Sequence, residues 1–260
     1  MMTTYKIVIP TYERTKVLIK KTLKVLEDSK IDPRLVYIFV DDKAQKIKYE
    51  QALENNKYNR NIIIGKRGLT NISNFIVDYF PTGERLVAMD DDITGLYKLD
   101  NQNKLKRVNN FKQILHKGFK LLEEKKLQLF GFYPVANAYF MRTKKVQPGG
   151  INTGLSFIYG AFYGFINDKS LRFYKSTQYK NDYHYSILSY LKYGGVLRFD
   201  KLTFKSTIYA KGGNNAAGRT IEKENECAAR LQNKYPDLVT FHTKKDGRNQ
   251  IKFLKQTHSS

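Results

Sequence analysis

Three consecutive carboxylates at the end of an apolar run set the chemistry for which this chain is equipped: Arg85-Leu86-Val87-Ala88-Met89 leads directly into Asp90-Asp91-Asp92-Ile93. Adjacent carboxylates repel one another, so the group calls for a counter-cation. Asp oxygens suit a hard divalent ion such as Mg2+ or Mn2+, which would in turn hold a phosphate. The competing reading is an acidic turn at a strand end or a solvated helix start. Three further polar motifs occupy the same kind of position. Lys6-Ile7-Val8-Ile9 runs into Pro10-Thr11-Tyr12-Glu13-Arg14, whose hydroxyl, aromatic face and guanidinium are able to stack a base and pair with a phosphate. Val36-Tyr37-Ile38-Phe39-Val40 ends in Asp41-Asp42, where a carboxylate can accept from a nucleobase N–H or a ribose hydroxyl. Asn61-Ile62-Ile63-Ile64-Gly65 leads into Lys66-Arg67-Gly68-Leu69-Thr70-Asn71, a cation beside an expected helix start, which can face a diphosphate.

The elements between these motifs decide whether they meet. Helical patterns fall over 17–26, 46–55 and 69–79, the last stopping before Pro81. The order is β-α-β-α-β-α-β with short connections, which predicts an α/β fold built on a mostly parallel, Rossmann-like sheet with helices on both faces. In such a sheet ligands bind just past the carboxyl ends of the strands. Each motif is weak alone, because strand-end loops are often polar. Four in series on one sheet edge make a stronger signal.

The second half changes character. An amphipathic helix is expected over 111–125. The stretches 127–140 and 155–166 are aromatic and punctuated by glycine, consistent with strands crossing a pocket. A helix over 183–193 is closed by Gly194-Gly195, two strands are expected at 196–199 and 205–209, and a helix over 222–235 ends at Pro236. With no repeat and no linker, one continuous domain over 1–260 is expected, 1–100 binding a nucleotide and 101–260 receiving an acceptor.

Composition narrows the partners. Forty-six Lys and Arg against 24 Asp and Glu give a net charge of +22 and a pI near 9.8. A surplus of this size favours polyanions, nucleic acid first and an anionic membrane surface second, through Coulomb steering and counterion release. Widely scattered lysine keeps a general solubility surplus as the alternative. The basic residues cluster in 142–145, 172–180, 201–211 and 244–248, all in the second half. The single cysteine, Cys227, excludes an intrachain disulfide and is expected in the core. No apolar stretch reaches the ~20 residues that span a bilayer, and the start of the chain lacks signal-peptide character, so a soluble protein of a reducing, cytoplasmic compartment is expected. Tyr159, Phe162, Tyr163 and Phe165 read as core, and Gly212-Gly213-Asn214-Asn215 as a turn or a diphosphate cradle. His184 and His242 are ambiguous between ligand and surface, and Asp182 is suited to an ordinary helix cap.

The four strand-end motifs resemble those of the GT-A glycosyltransferases, which bind nucleotide sugars. Met89-Asp90-Asp91-Asp92-Ile93, the stretch from Ser189 to Phe199, and Lys211-Gly212-Gly213 resemble, more narrowly, the TET/JBP-associated glycosyltransferases of phages and large viruses. That family is thought to glycosylate 5-hydroxymethylpyrimidines such as 5-hydroxymethylcytosine in DNA, which for a phage enzyme means the host cytoplasm. The resemblance implies a metal-dependent inverting transfer from a UDP-sugar. Pro10, Thr11, Tyr12, Arg14 and Asp41 would hold the nucleotide, and Arg67, Lys211 and Gly212 would approach the diphosphate. Asp90 and Asp91 would border the ribose. Asp92, with Asp90, would bind the Mn2+ or Mg2+ ion, its shell completed by His242. Asp182, in Asn181-Asp182-Tyr183-His184-Tyr185, would be the base; an acidic pair often stands there, and here its first position is Asn181. The alternatives are a carbohydrate, lipid or protein acceptor, or a non-catalytic DNA-binding protein on the same fold.

Overall fold

The computed structural model describes residues 4–143, 148–206 and 218–255. Four short strands, β1 (Lys6–Pro10), β2 (Val36–Val40), β3 (Ile62–Ile64) and β4 (Arg85–Met89), lie parallel in the order β3-β2-β1-β4. Successive side chains of a strand point to opposite faces. Ile7 and Ile9, Ile38 and Val40, Val87 and Met89 accordingly enter one buried cluster, while Val8, Phe39 and Leu86 enter another. Both faces are covered, which is why these strands read as unbroken apolar runs.

Helices cover the two faces. On the first, α1 (Thr15–Leu18) and α2 (Lys24–Asp28), joined by a π-helical turn at Ile19–Leu23, bury Leu18, Leu23 and Leu26 beside Tyr49 of α3 (Lys43–Ala52). On the second, α4 (Leu69–Tyr79) buries Ile72, Ile76 and Val77. The helix expected over 69–79 is therefore present with those limits, and the expected strands and helices of the first hundred residues are all formed.

The rest of the chain adds β5 (Gly95–Leu99), β6 (Leu105–Arg107), α5 (Phe111–Glu124), β7 (Leu129–Tyr133), α6 (Ala138–Thr143), β8 (Ile151–Asn152) and β9 (Phe162–Ile166). These are followed by α7 (Asn181–Tyr193), β10 (Leu197–Lys205), α8 (Ile221–Lys234) and a hairpin of β11 (Val239–Thr243) and β12 (Asn249–Phe253). The main sheet has ten strands, ordered β3-β2-β1-β4-β9-β7-β10-β5-β6 with β8 also on β10. β9 is antiparallel to both β4 and β7, so β7, and β10 parallel to it, run with β1–β4; the expected mostly parallel α/β sheet is formed. The glycine punctuation has a packing cause: a Cβ on Gly164 would lie 2.2 Å from the Phe130 ring, and one on Gly118 2.7 Å from it.

Several second-half expectations are corrected. The strand expected over 127–140 stops at Tyr133 because Pro134 has no N–H for the ladder, and the chain turns into α6 instead. Of 155–166 only Phe162–Ile166 pairs as a strand; Ile158 N donates instead to Ser186 Oγ of α7 at 3.1 Å. The strand expected at 196–199 runs on as β10 to Lys205, with its polar Asp200-Lys201 step at a register shift between Phe199 and Thr203; of the strand expected at 205–209 only Lys205 belongs to it, Ser206 is outside any strand and residues 207–209 lie outside the described residues. The β11–β12 hairpin was not expected, although Asp246-Gly247 is a hairpin-turn pair and Gly247 has φ +81°. The hairpin packs with α7 and α8 around Ile187, Leu231, Val239 and Ile251. Cys227 of α8 is buried, as expected, its thiol facing the Ser176 carbonyl. Among the described residues no helix is long and apolar enough to cross a membrane.

Candidate functional site

The acidic triplet is fixed from three directions. Asp90 N donates to the Ala161 carbonyl at 2.8 Å. Thr22, in the π-helical turn, donates from Oγ1 to the Asp90 carbonyl at 2.7 Å and accepts from Ile93 N at 2.9 Å, so a single hydroxyl pins both ends of the loop. Arg14 then reaches across, Nη1 lying 2.8 Å from Asp91 Oδ1 and Nη2 3.0 Å from Asp92 Oδ2. Thr11 Oγ1 donates to Asp91 Oδ2 at 2.6 Å and pairs with Tyr49 OH at 2.7 Å, and that phenol accepts from Arg14 N at 3.0 Å.

Arg14 thus supplies a counter-cation in direct contact, and Lys21 adds a more distant positive charge that pulls on Asp91. One guanidinium does not balance three carboxylates in a place with little water. Burial pushes Asp91 up to about 6 against the pull of Thr11 and Arg14. It pushes Asp90 well above the usual carboxylate range, helped by the negative charge of Asp92 and Asp91. Asp92 Oδ1 is buried and receives no hydrogen bond. Oxygen donors with a lone pair left over and unrelieved negative charge fit a hard divalent cation.

Asp182 stands beside this group. It lies in the first turn of α7, where the capping position is taken by Lys180 without a side-chain bond, so Asp182 is not the helix cap. Tyr183 N donates to Asp182 Oδ1 at 2.9 Å, and Ser186 Oγ donates to the Asp182 carbonyl at 2.7 Å. Gly160 admits it closely, since a Cβ there would sit 3.4 Å from the Asp182 Cβ. Burial raises the Asp182 carboxyl to about 6, with Lys180 opposing, and its charge reaches Asp90. A pocket of about 430 Å³ of empty space, mouth included, is lined here by Pro10, Leu69, Asp90, Gly160 and Tyr163.

The loops after β1, β2 and β3 also meet. The Arg67 guanidinium lies 5.5 Å from the Tyr12 ring centroid. Asp41 is half-buried and its carboxyl is raised by that burial, with Arg67 opposing. Tyr12, Asp41 and Arg67 therefore form one polar, aromatic corner, as their positions past adjacent strands require. Asp42 does not join it, because its side chain caps α3 by accepting from Gln45 N at 2.8 Å.

Other expectations land elsewhere. Arg14, expected on a phosphate, is held by Asp91 and Asp92. His242 is exposed on β11 opposite Gln250, and among the described residues no three His, Cys, Asp or Glu side chains are gathered as a ligand set. Lys211 and Gly212 lie outside the described residues. His184 is buried between Thr177 Oγ1 at 2.8 Å and Tyr235 OH at 3.1 Å, and burial lowers it to about 4, so it is a neutral structural group. Asn181, with its amide oxygen accepting from Thr70 Oγ1 at 2.9 Å and its NH2 donating to the Tyr174 carbonyl at 3.1 Å, ties the start of α7 to α4. Thr22 and Tyr49 were not legible as site residues; the only available signal for Thr22 was a hydroxyl within an otherwise apolar helix face.

Solved structures share this architecture. Staphylococcus aureus TarS residues 1–349, in complex with UDP-GlcNAc, is similar with a TM-score of 0.54 and 13% identity over 89% of this chain and 67% of that one. The mannosyltransferase PcManGT from Pyrobaculum calidifontis, in complex with GDP-Man and Mn2+, gives 0.54 and 14% over 90% and 66%. Glucosyl-3-phosphoglycerate synthase from Mycobacterium tuberculosis, in complex with Mn2+ and UDP-glucose, gives 0.53 and 11% over 96% and 86%. This chain spans about two thirds of the first two. No protein-family model and no curated protein sequence matches it. The likeness establishes the fold, that of the GT-A glycosyltransferases.

Proposed function

We propose that the chain is a metal-dependent, inverting glycosyltransferase that moves a sugar from a UDP-sugar to the hydroxymethyl group of a 5-hydroxymethylpyrimidine in DNA. The observation that carries the reading is the placement of Asp182, a single carboxyl raised to about 6, beside the strand-end acids on this fold. The similar structures contain UDP-GlcNAc, or GDP-Man or UDP-glucose with Mn2+, which supports a nucleotide-sugar donor and a divalent ion here.

The roles follow from the chemistry. Tyr12 offers a face for the base and Asp41 an acceptor for its N–H or for a ribose hydroxyl. Asp92 and Asp90 would hold the metal, which supplies charge neutralisation for the departing diphosphate. Arg14 holds Asp91 and Asp92 in place, and Arg67 brings a second cation to the diphosphate side. The acceptor hydroxyl loses its proton to an Asp182 oxygen as it attacks the anomeric carbon, and the bond to the diphosphate breaks on the opposite face. A base that titrates near 6 is ionised at neutral pH yet basic enough to accept that proton. The DNA acceptor rests on the charge of +22 and on the family resemblance.

The test is mass spectrometry of nucleosides from hydroxymethylated DNA incubated with the protein, Mn2+ and a panel of sugar nucleotides. A mass gain of one sugar on the hydroxymethylpyrimidine is expected, with Asp182→Asn lowering it by at least ~10²-fold. Nucleotide binding measured by calorimetry should survive that change. Transfer to a carbohydrate, lipid or protein but never to DNA would move the acceptor; retained activity in Asp182→Asn would move the base.

A further inference from the structure

Helix α6 carries two large aromatic side chains outward. Tyr139 is 56% and Phe140 51% exposed, with their ring centroids 5.5 Å apart in an edge-on arrangement. The Arg142 guanidinium lies 5.0 Å from the Tyr139 ring centroid. The helix beneath is anchored. Met141 is fully buried, Asn137 Oδ1 accepts from Tyr139 N at 2.9 Å, and Tyr133 OH donates to the Phe140 carbonyl at 3.3 Å. The rings are therefore held out by a fixed base rather than left over from a failed core.

Their place in the fold matters. β7 runs in the same direction as β4, with β9 between them. The chain leaving β7 into α6 thus emerges at the sheet edge where Asp90–Asp92 leave β4, two strand spacings away, roughly 10 Å. A cation stands nearby: the Lys205 ammonium lies 4.5 Å from the Tyr97 ring centroid, and α6 packs on β5, the strand of Tyr97. Residues 134–145 include no acid.

We propose that Tyr139 and Phe140, with Arg142, form a stacking platform for an unpaired nucleobase of the DNA strand whose neighbouring nucleotide is presented to Asp182. The proposal rests on the DNA-acceptor reading. An exposed π face stacks any base, and a guanidinium beside it serves the adjoining phosphate. A lipid surface would want a longer amphipathic helix with an aliphatic stripe; α6 has six residues and its one buried apolar anchor, Met141, points inward.

Fluorescence anisotropy of a short dye-labelled single-stranded DNA decides the matter. The double variant Tyr139→Ala, Phe140→Ala is expected to bind at least fivefold more weakly per stacked base, with Tyr139→Phe close to wild type. Calorimetric binding of UDP with Mn2+ should be unchanged in all of them, which controls for folding. Arg142→Gln should lower the salt slope of DNA binding by about 1. If wild type binds the strand and the double variant stays within twofold of it, the platform is wrong while the DNA reading stands. If wild type fails to bind even at low salt, the DNA reading falls and takes the platform with it. Loss of binding to phosphatidylserine vesicles in the double variant, with DNA binding intact, would reassign the patch to a lipid surface.

Discussion

Two buried charge clusters flank Asp182, and they have opposite polarity. On one side Arg14 is ion-paired with both Asp91 and Asp92, with Asp90 adjacent. On the other a single anion, Glu224 of α8, serves two cations: Oε2 lies 3.2 Å from Lys180 Nζ and Oε1 2.6 Å from Arg219 Nε. The consequences differ. Both Glu224 oxygens are paired, and its carboxyl is lowered because its two cations outweigh the burial that opposes them. Asp90 and Asp91 of the first cluster are raised by burial, and Asp92 keeps a buried oxygen with no hydrogen bond. The same ingredients thus make a satisfied latch in one place and an unsatisfied site in the other. A buried polar group that costs stability and is not compensated points to a ligand.

The comparison can be broken at its strongest point first. Arg14→Ala leaves two buried carboxylates without their cation, and should lower the unfolding free energy by about 3–5 kcal/mol in metal-free buffer at pH 7.5. Mn2+ should restore part of that loss in a denaturant titration. A loss under about 1 kcal/mol would mean that Arg14 is not the compensating charge.

Glu224→Gln comes next. It strands Lys180 and the half-exposed Arg219, and a cost of about 2–3 kcal/mol is expected. Here Mn2+ should restore nothing. Rescue by the metal in both variants would erase the distinction between latch and site.

The smallest effect concerns Asp182. Its folded pKa of about 6 lies above the ordinary 3.8, so the folded state holds the proton more tightly. Its stability contribution is therefore fully present below 3.8 and is lost as pH rises through about 6. Asp182→Asn removes that loss. In metal-free buffer its melting temperature should exceed wild type at pH 8 by a few degrees, about 2–4 °C for roughly 1 kcal/mol in a chain of this size. The gap should shrink toward pH 5. A pH-independent gap would show that packing, and not the charge, is what changed.

Legibility followed the kind of interaction that forms each element. β1–β4 were readable because strands buried on both faces must be continuous apolar runs, and α4 because its apolar residues repeat at helical spacing. Strand-end motifs were readable because a parallel sheet places every carboxyl end on one edge. β5, β6 and β8 are short and in part polar; β5 and β8 exist because β10 offers them a ladder, and β6 because β5 does. Such pairing is set by a partner distant in sequence, so no local pattern announces it. The same holds for Tyr49, 38 residues from the Thr11 hydroxyl it touches, and for Thr22, 71 residues from the Ile93 amide that it receives.

The residue order alone determined the α/β architecture of the first hundred residues, the edge on which its polar motifs gather, the acid-rich character of that edge and the large positive surplus. Those are properties of periodicity and composition, which no later contact can alter. The tertiary structure decided which charge answers which. Arg14 turned to the acids instead of outward, Asp42 became a cap while Asp41 faced the Tyr12–Arg67 corner, and Lys180 took the capping position that Asp182 was suited to fill. The Arg14 pairing and the Tyr12–Arg67 corner turn on distances of a few ångströms between segments far apart in the chain. Buried charges interact strongly only at such range, and only the folded chain fixes it.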